Sequence, residues 1–121
     1  MHFLRLLASE NEERRYSILS SRLKSIMGLP EEKRKTELED LMDILGELPE
    51  KDRVIIYRTL TTLISELGRD KVNILMESLK KVTVNWPLKR KLDEKKIVME
   101  ATKDYSSLEK TAIRAYFNKL F

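Results

Sequence analysis

Apolar residues recur at intervals of three and four along most of the chain, which predicts a series of amphipathic α-helices. Each such stripe requires an apolar partner surface, because the free energy falls when apolar side chains leave water. The sequence therefore predicts an all-α fold, a compact bundle of about five to six short helices in one domain, residues 1–121. The clearest stripes are Tyr16, Leu19, Leu23, Ile26; Leu38, Leu41, Met42, Leu45; Ile56, Leu60, Leu63, Leu67; and Val72, Leu75, Met76, Leu79, Val82.

Glycine and proline divide the chain at the ends of these stripes. Gly28 is followed by Pro30, and Gly46 is followed by Pro49, so each pair predicts a helix end and a new helix start. Glycine is favoured in the left-handed cap of a helix, and proline suits the first helical turn. Gly68 predicts the end of the next helix in the same way.

Short polar motifs predict further helix starts. The Ser-x-x-Glu pairs Ser9 with Glu12 and Ser106 with Glu109 match the capping box, in which serine and glutamate bond to free backbone amides. Asp70 is the expected N-cap of the helix that follows Gly68. A short helix or turn is expected over residues 2–8, before the first of these boxes.

Two regions depart from the simple amphipathic pattern. Residues 49–67 are apolar around most of the helix, which predicts a central helix or, alternatively, a helix with a dimer face. The pattern is looser over residues 87–103, where Asp93 is expected to divide the segment into two pieces.

A weak internal repeat suggests an alternative architecture. Leu29-Pro30-Glu31 recurs nineteen residues later as Leu48-Pro49-Glu50, with further matches at the same offset. A repeat of this kind is typical of a short solenoid-like helical stack. Two similar helices with common start signals would give the same pattern, and we favour this simpler interpretation.

Composition narrows the class of protein. The chain has no cysteine, so disulfides, thiolate nucleophiles and cysteine-based metal sites are excluded. No apolar stretch approaches the roughly 20 residues of a membrane span, and we expect a cytoplasmic protein. Charged residues make up 36% of the chain and glutamine is absent, which favours a thermophilic source.

Residues suited to catalysis are scarce. The single histidine, His2, has no second histidine or cysteine with which to form a transition-metal site. Residues 27–47 hold seven acids against three bases, but these acids lie opposite an apolar stripe and are expected to face solvent. No glycine-rich phosphate loop or nucleophile motif occurs. The sequence therefore predicts a protein without enzymatic activity, metal or cofactor.

The net charge of +4 is concentrated in residues 80–96, which hold seven bases against two acids and the only tryptophan. Lysine and arginine can contact phosphates, and an exposed indole can stack on a base. The segment is thus a possible nucleic-acid-binding site, formed by Lys80, Lys81, Trp86, Lys89, Arg90, Lys91, Lys95 and Lys96. In the alternative interpretation, Trp86 anchors the segment in the core and the lysines are simply solvated.

The last amphipathic stretch carries a second candidate motif. Residues 110–117 resemble the short peptide with which replication and repair proteins bind sliding clamps. In that peptide a glutamine precedes an aliphatic residue by three positions, and two aromatic residues follow. Ile113, Tyr116 and Phe117 match the aliphatic and aromatic positions, whereas Lys110 replaces the glutamine. The resemblance implies a partner-binding role for these three residues if they form a free tail.

These observations predict a non-catalytic interaction protein, a small subunit or adaptor that binds an unidentified protein partner through its helix faces. The alternative is a nucleic-acid-binding module that uses residues 80–96, and a weaker alternative is the clamp-binding peptide of residues 110–117. Homo-oligomerisation is compatible with all three.

Overall fold

The computed structural model describes residues 3–121, which form seven α-helices and no strand. The predicted all-α fold is confirmed, with slightly more helices than expected. The expected segment at residues 2–8 is a helix from Phe3 onward and extends to Ser9, and His2 lies outside the described residues. The helices are α1 Phe3–Ser9, α2 Glu12–Met27, α3 Glu31–Glu47, α4 Glu50–Glu66, α5 Arg69–Thr83, α6 Leu88–Ala101 and α7 Ser107–Asn118.

Helix α4 is the central element, as its broad apolar surface predicts. It packs against α1, α2 and α6, while α3 packs against α2 and α5, and α7 rests on α6. Helices that are two positions apart in the chain therefore pack more extensively than consecutive helices. This arrangement produces two rows, α2–α4–α6 and α3–α5. Residues of α4 that are polar in the sequence are also buried: the Thr61 hydroxyl lies 2.7 Å from the Tyr105 hydroxyl and shares a hydrogen bond with it.

Most residues of the predicted apolar stripes form the core between these rows, whereas Tyr16 of the first stripe is 37% exposed and its hydroxyl donates a hydrogen bond to Glu66. Leu19, Leu38, Leu45, Ile56 and Leu75 are each almost completely shielded from solvent. Burial of one such side chain stabilises the fold by roughly 1.5–3 kcal/mol. The core thus derives from the spacing that the sequence displays.

Proline marks the helix starts as predicted, although it occupies the N-cap and not the first helical position. Pro30, Pro49 and Pro87 each precede a helix with extended backbone angles, and none provides a side-chain cap. At the last helix, the Ser106 hydroxyl accepts a hydrogen bond from the Glu109 amide at 3.3 Å, which confirms Ser106 as the N-cap. The Glu109 carboxylate accepts a bond from the Ser106 hydroxyl at 2.9 Å instead of from its amide.

Three predicted helix boundaries are wrong. Asn11 caps α2 by accepting a bond from the Arg14 amide, because Ser9 is already the last residue of α1. Asp70 lies inside the first turn of α5, which begins immediately after Gly68. Asp93 does not divide its segment, since α6 is continuous from Leu88 to Ala101.

Two predicted glycine caps also differ from expectation. Gly28 ends α2 with right-handed angles, φ −80° and ψ −6°, so it does not need the freedom of glycine. Gly46 lies within α3. Gly68 alone among the described glycines has a positive φ, at 85° with ψ 158°, a region that only glycine populates readily.

We expect the substitution Gly68→Ala to lower the free energy of unfolding by about 1–3 kcal/mol, because a Cβ atom is disfavoured at this φ and ψ. There is open space around the new methyl group, so the loss would come from backbone strain alone. Chemical denaturation followed by circular dichroism would measure it.

The matched control is Gly28→Ala, whose Cβ would sit at ordinary van der Waals distances of 3.6 and 3.7 Å from backbone oxygens. This variant should be neutral or slightly more stable, by up to about 1 kcal/mol, because alanine reduces the entropy of the unfolded chain. Equal effects of the two substitutions would contradict the assignment of strain to Gly68.

Candidate functional site

The basic segment, residues 80–96, is divided among three structural elements. It starts in the last turn of α5, passes through a turn closed by a bond from the Trp86 amide to the Thr83 carbonyl at 3.0 Å, and enters α6. Pro87 fixes the extended backbone that starts α6. The eight candidate residues consequently belong to α5, to the turn and to α6, and they do not form a single helix face.

Trp86 is half-buried, which places it between the two sequence-based interpretations. Its ring stacks on that of Phe121, with centroids 5.9 Å apart and planes 13° apart. The Arg90 guanidinium lies over the indole at 3.6 Å and also forms an ion pair with Asp43 at 3.1 Å. Both the indole and Arg90 are thus engaged within the protein, and base stacking on Trp86 would compete with these contacts.

The lysines of the segment fall into two groups. Lys81, on α5, forms an ion pair with Glu31, so its charge is partly neutralised, and Lys80 beside it is exposed. The other four lysines lie on α6, and none of them makes a salt bridge to any residue in the described part of the chain; they are Lys89, Lys91, Lys95 and Lys96. Within the basic segment, most of the lysines without an ion-pair partner therefore lie on this helix.

An apolar stripe runs along the outer face of the same helix. Leu88 is 70% exposed, Leu92 is 53% exposed and Met99 is 44% exposed. Since an α-helix has 3.6 residues per turn, positions separated by four and seven residues lie on one face, and this stripe is about 16 Å long. Such a row of exposed apolar side chains is typical of an interaction surface.

The four free lysines lie in or beside this stripe. Helical geometry puts Lys89 and Lys96 on one side of it, Lys91 on the other side, and Lys95 in line with the stripe between Leu92 and Met99. Of the three acids of the helix, Glu94 is buried, Glu100 forms an ion pair with Lys103 at 2.7 Å, and Asp93 is exposed one turn beyond Lys89. We call the stripe and its four lysines the α6 outer face.

Helix α6 is fixed in rotation by a buried polar cluster on its opposite side. Glu94 is only 3% exposed, and its carboxylate forms an ion pair with Arg53 of α4 at 2.9 Å. It also accepts a hydrogen bond from the Tyr57 hydroxyl. Because a buried carboxylate is stable only with such partners, Glu94 must face α4, which forces the apolar stripe outward.

Tyr57 is neutral in this cluster. Burial, reinforced by the charge of Glu94 and by the hydrogen bond to it, raises the pKa of Tyr57 well above its ordinary value of 10.0. The phenol therefore remains a hydrogen-bond donor to the carboxylate. The cluster has a structural role in orienting α6.

The three residues that resemble the clamp-binding peptide belong to α7. Ile113 and Phe117 are buried, and Phe117 packs edge-on against Tyr57 with ring centroids 6.1 Å apart. Tyr116 is half-buried and lines an open cleft of about 420 Å³ between α4, α5 and α7. Binding to a clamp through these residues would require α7 to leave the domain.

Neither the α6 outer face nor the Glu94 cluster was predicted from the sequence. The outer face leaves a sign in the sequence, which is the looser apolar pattern after Pro87. This pattern arises because α6 carries two apolar stripes. Ile97, Val98 and Ala101 face the core, while the second stripe faces solvent. A helical projection of residues 88–101 separates the two faces.

Comparisons with known proteins find no matching family model, no similar curated protein and no similar solved structure. None of the helices formed by residues 3–121 has the length and apolar character needed to cross a bilayer. Within the same residues, no group of three or more histidine, aspartate or glutamate side chains is arranged to hold a metal ion.

We expect Glu94→Ala to destabilise the protein by about 3 kcal/mol, because it leaves the Arg53 charge and the Tyr57 hydroxyl without a buried partner. Glu94→Gln, which retains an acceptor for the hydroxyl, should cost less, about 1–2 kcal/mol. Urea unfolding at neutral pH would measure both. Asp93→Ala, at the exposed neighbouring position, is the control and should change stability by less than about 0.5 kcal/mol. A similar loss in all three variants would contradict this account.

The pKa of Tyr57 predicts a loss of stability in alkaline solution. Above pH 10 the unfolded chain releases the phenolic proton while folded Tyr57 retains it, so the free energy of unfolding falls as pH rises further. In Tyr57→Phe this contribution is absent. Urea titrations from about pH 9 to about pH 11 should show a smaller decline for the variant, by up to about 1.4 kcal/mol per pH unit. Parallel declines in the two proteins would show that Tyr57 titrates normally.

Proposed function

We propose that the chain is a non-catalytic interaction protein that binds a protein partner through the α6 outer face. The observation that carries this proposal is the exposed stripe of Leu88, Leu92 and Met99 on a helix whose rotation is fixed. The face carries this apolar stripe, which Lys95 interrupts between Leu92 and Met99, and three further lysines lie beside it. It thus has the apolar centre and polar rim that are typical of protein interfaces.

The stripe offers enough apolar surface for a specific but moderate interaction. Burial of a fully exposed leucine or methionine gains about 1.5–3 kcal/mol, so covering these three partly exposed side chains would gain roughly 2–5 kcal/mol. Association and ordering costs reduce this value. Further contacts from the lysine borders would then determine which partner binds.

A rigid scaffold favours this use of α6. The Glu94 cluster holds the helix against α4, and Arg90 links it to α3 through Asp43. A surface that is already in its binding conformation loses little conformational entropy when the partner docks. The other helices thus serve to present one helix face.

Nucleic-acid binding is the second candidate, and the four unpaired lysines of α6 favour it. Phosphate contacts from these lysines would give an affinity that falls steeply with salt. Two observations weigh toward a protein partner: the centre of the face is aliphatic, and Trp86 and Arg90 are engaged by Phe121 and Asp43. Aliphatic side chains provide no platform for base stacking.

Site-specific photo-cross-linking in extracts of the source organism would test the proposal. We expect benzoylphenylalanine in place of Leu92 to give a discrete adduct with one protein. The same group in place of Ile74, which is 43% exposed on α5, should give none. Excess unlabelled wild-type chain should abolish the adduct by competition, whereas excess Leu92→Glu chain should not, because a buried glutamate opposes docking.

The nucleic-acid alternative is distinguished within the same experiment. Nuclease treatment of the extract should leave the adduct unchanged if the partner binds directly. The proposal fails if position 92 gives no specific adduct, or if binding is restored only by added nucleic acid. Circular dichroism would confirm that every variant retains its helix content.

A further inference from the structure

We infer that the partner presents an amphipathic α-helix whose apolar seam is bordered by aspartate and glutamate. This inference rests on the proposed function, since it specifies what docks on the α6 outer face. It is drawn from the spacing of the apolar residues and from the placement of the lysines around them.

The spacing of the stripe matches a helix–helix seam. Leu88, Leu92 and Met99 are separated by four and seven residues, and Lys95 fills the position between the last two. These positions correspond to the core sites of a heptad pattern, in which side chains of one helix pack between those of another. The stripe is about 16 Å long, which corresponds to about three turns of a partner helix.

The shape of the surface also favours a helical partner. Helix α6 projects a convex ridge of side chains, and such a ridge packs into the groove between side-chain rows of another helix. Its backbone hydrogen bonds are satisfied within the helix, so α6 offers no strand edge to which an extended peptide could be added. A single helix laid along the stripe would cover all three apolar side chains.

The lysines of α6 indicate which charge the partner helix must carry. Lys89 and Lys96 occupy equivalent positions on one border of the seam, and Lys91 flanks the other, where charged residues of paired helices meet. Lys95 lies within the seam and is half-buried, so it also requires an acidic neighbour when the seam closes. Acidic residues on both borders of the partner would neutralise all four charges.

A second copy of this chain does not fit. Pairing of two α6 outer faces would bring lysines against lysines, which is unfavourable. The acidic surface of α3, which includes Glu39 and Asp40, contains no exposed large apolar residue among the described positions. It therefore offers charge but no apolar seam to match Leu88 and Leu92.

Fluorescence anisotropy with two synthetic peptides would test the inference. Both peptides are helical and carry leucine at the core heptad positions; one has glutamate at the flanking positions and the other has lysine. We expect the wild-type protein to bind the glutamate peptide at least about tenfold more tightly, with affinity falling as salt rises. Leu92→Glu should abolish binding, whereas Ile74→Glu should have no effect.

A charge-reversal variant distinguishes specific charge recognition from nonspecific binding of the peptides. The triple variant Lys89→Glu, Lys91→Glu, Lys96→Glu should lose its preference for the glutamate peptide and prefer the lysine peptide. These side chains are exposed or half-buried and make no salt bridge within residues 3–121, so the variant should fold normally. Retention of the original preference would overturn the inference.

The remaining outcomes separate the inference from the proposed function. A specific cross-link at position 92 without peptide binding would overturn the acidic helix and leave the protein-binding function intact. Absence of the cross-link would remove both. Binding to vesicles of equal parts phosphatidylserine and phosphatidylcholine, lost in Leu92→Glu and without peptide binding, would assign the face to a membrane surface. Dimerisation in sedimentation equilibrium that Leu92→Glu abolishes would assign it to a second copy.

Discussion

The orientation of α6 depends on one buried carboxylate. Glu94 occurs in a helix that is otherwise rich in lysine, and its only stable position is against Arg53 and Tyr57 of α4. An unpaired charge in the core would be far more costly than the exposure of a few apolar side chains to water. The pairing of Glu94 therefore decides which side of α6 faces the core. Leu88 and Leu92 remain exposed as a consequence, and the same interaction that stabilises the fold creates the candidate interaction surface.

The predictions from sequence succeeded where one physical signal dominated. Helices α2, α3 and α5 each show a single apolar stripe, and Pro30 and Pro49 correctly mark new helix starts. The predictions failed where two local signals competed. At the start of α2, both Ser9 and Asn11 could serve as the N-cap, and Asn11 does so because α1 extends to Ser9. In α6, two apolar stripes on opposite faces reduced the helical periodicity, and Asp93 was wrongly taken for a boundary.

The environment of Trp86 could not be predicted because it depends on residues distant in sequence. Its partner ring belongs to Phe121, and Arg90 is held over the indole by Asp43, 47 positions earlier in the chain. Local pattern contains no information on such contacts, since they form only after α3, α6 and α7 have packed. The same limit applies to the Glu94 cluster, which joins residues 37 and 41 positions apart.

The fold thus divides a basic segment that is uniform in sequence into two parts with different roles. Lys81 and Arg90 pair with Glu31 and Asp43 of α3, and both of these acids also remain exposed to solvent, as predicted. The lysines of the α6 outer face have no such partners in the described structure. Exposed ion pairs within a protein contribute little stability, whereas unpaired lysines beside an apolar stripe retain their full capacity to select an acidic partner. This separation of structural from free charge, more than the net charge of +4, is the basis of our proposal that α6 recognises a protein helix and not polyanions in general.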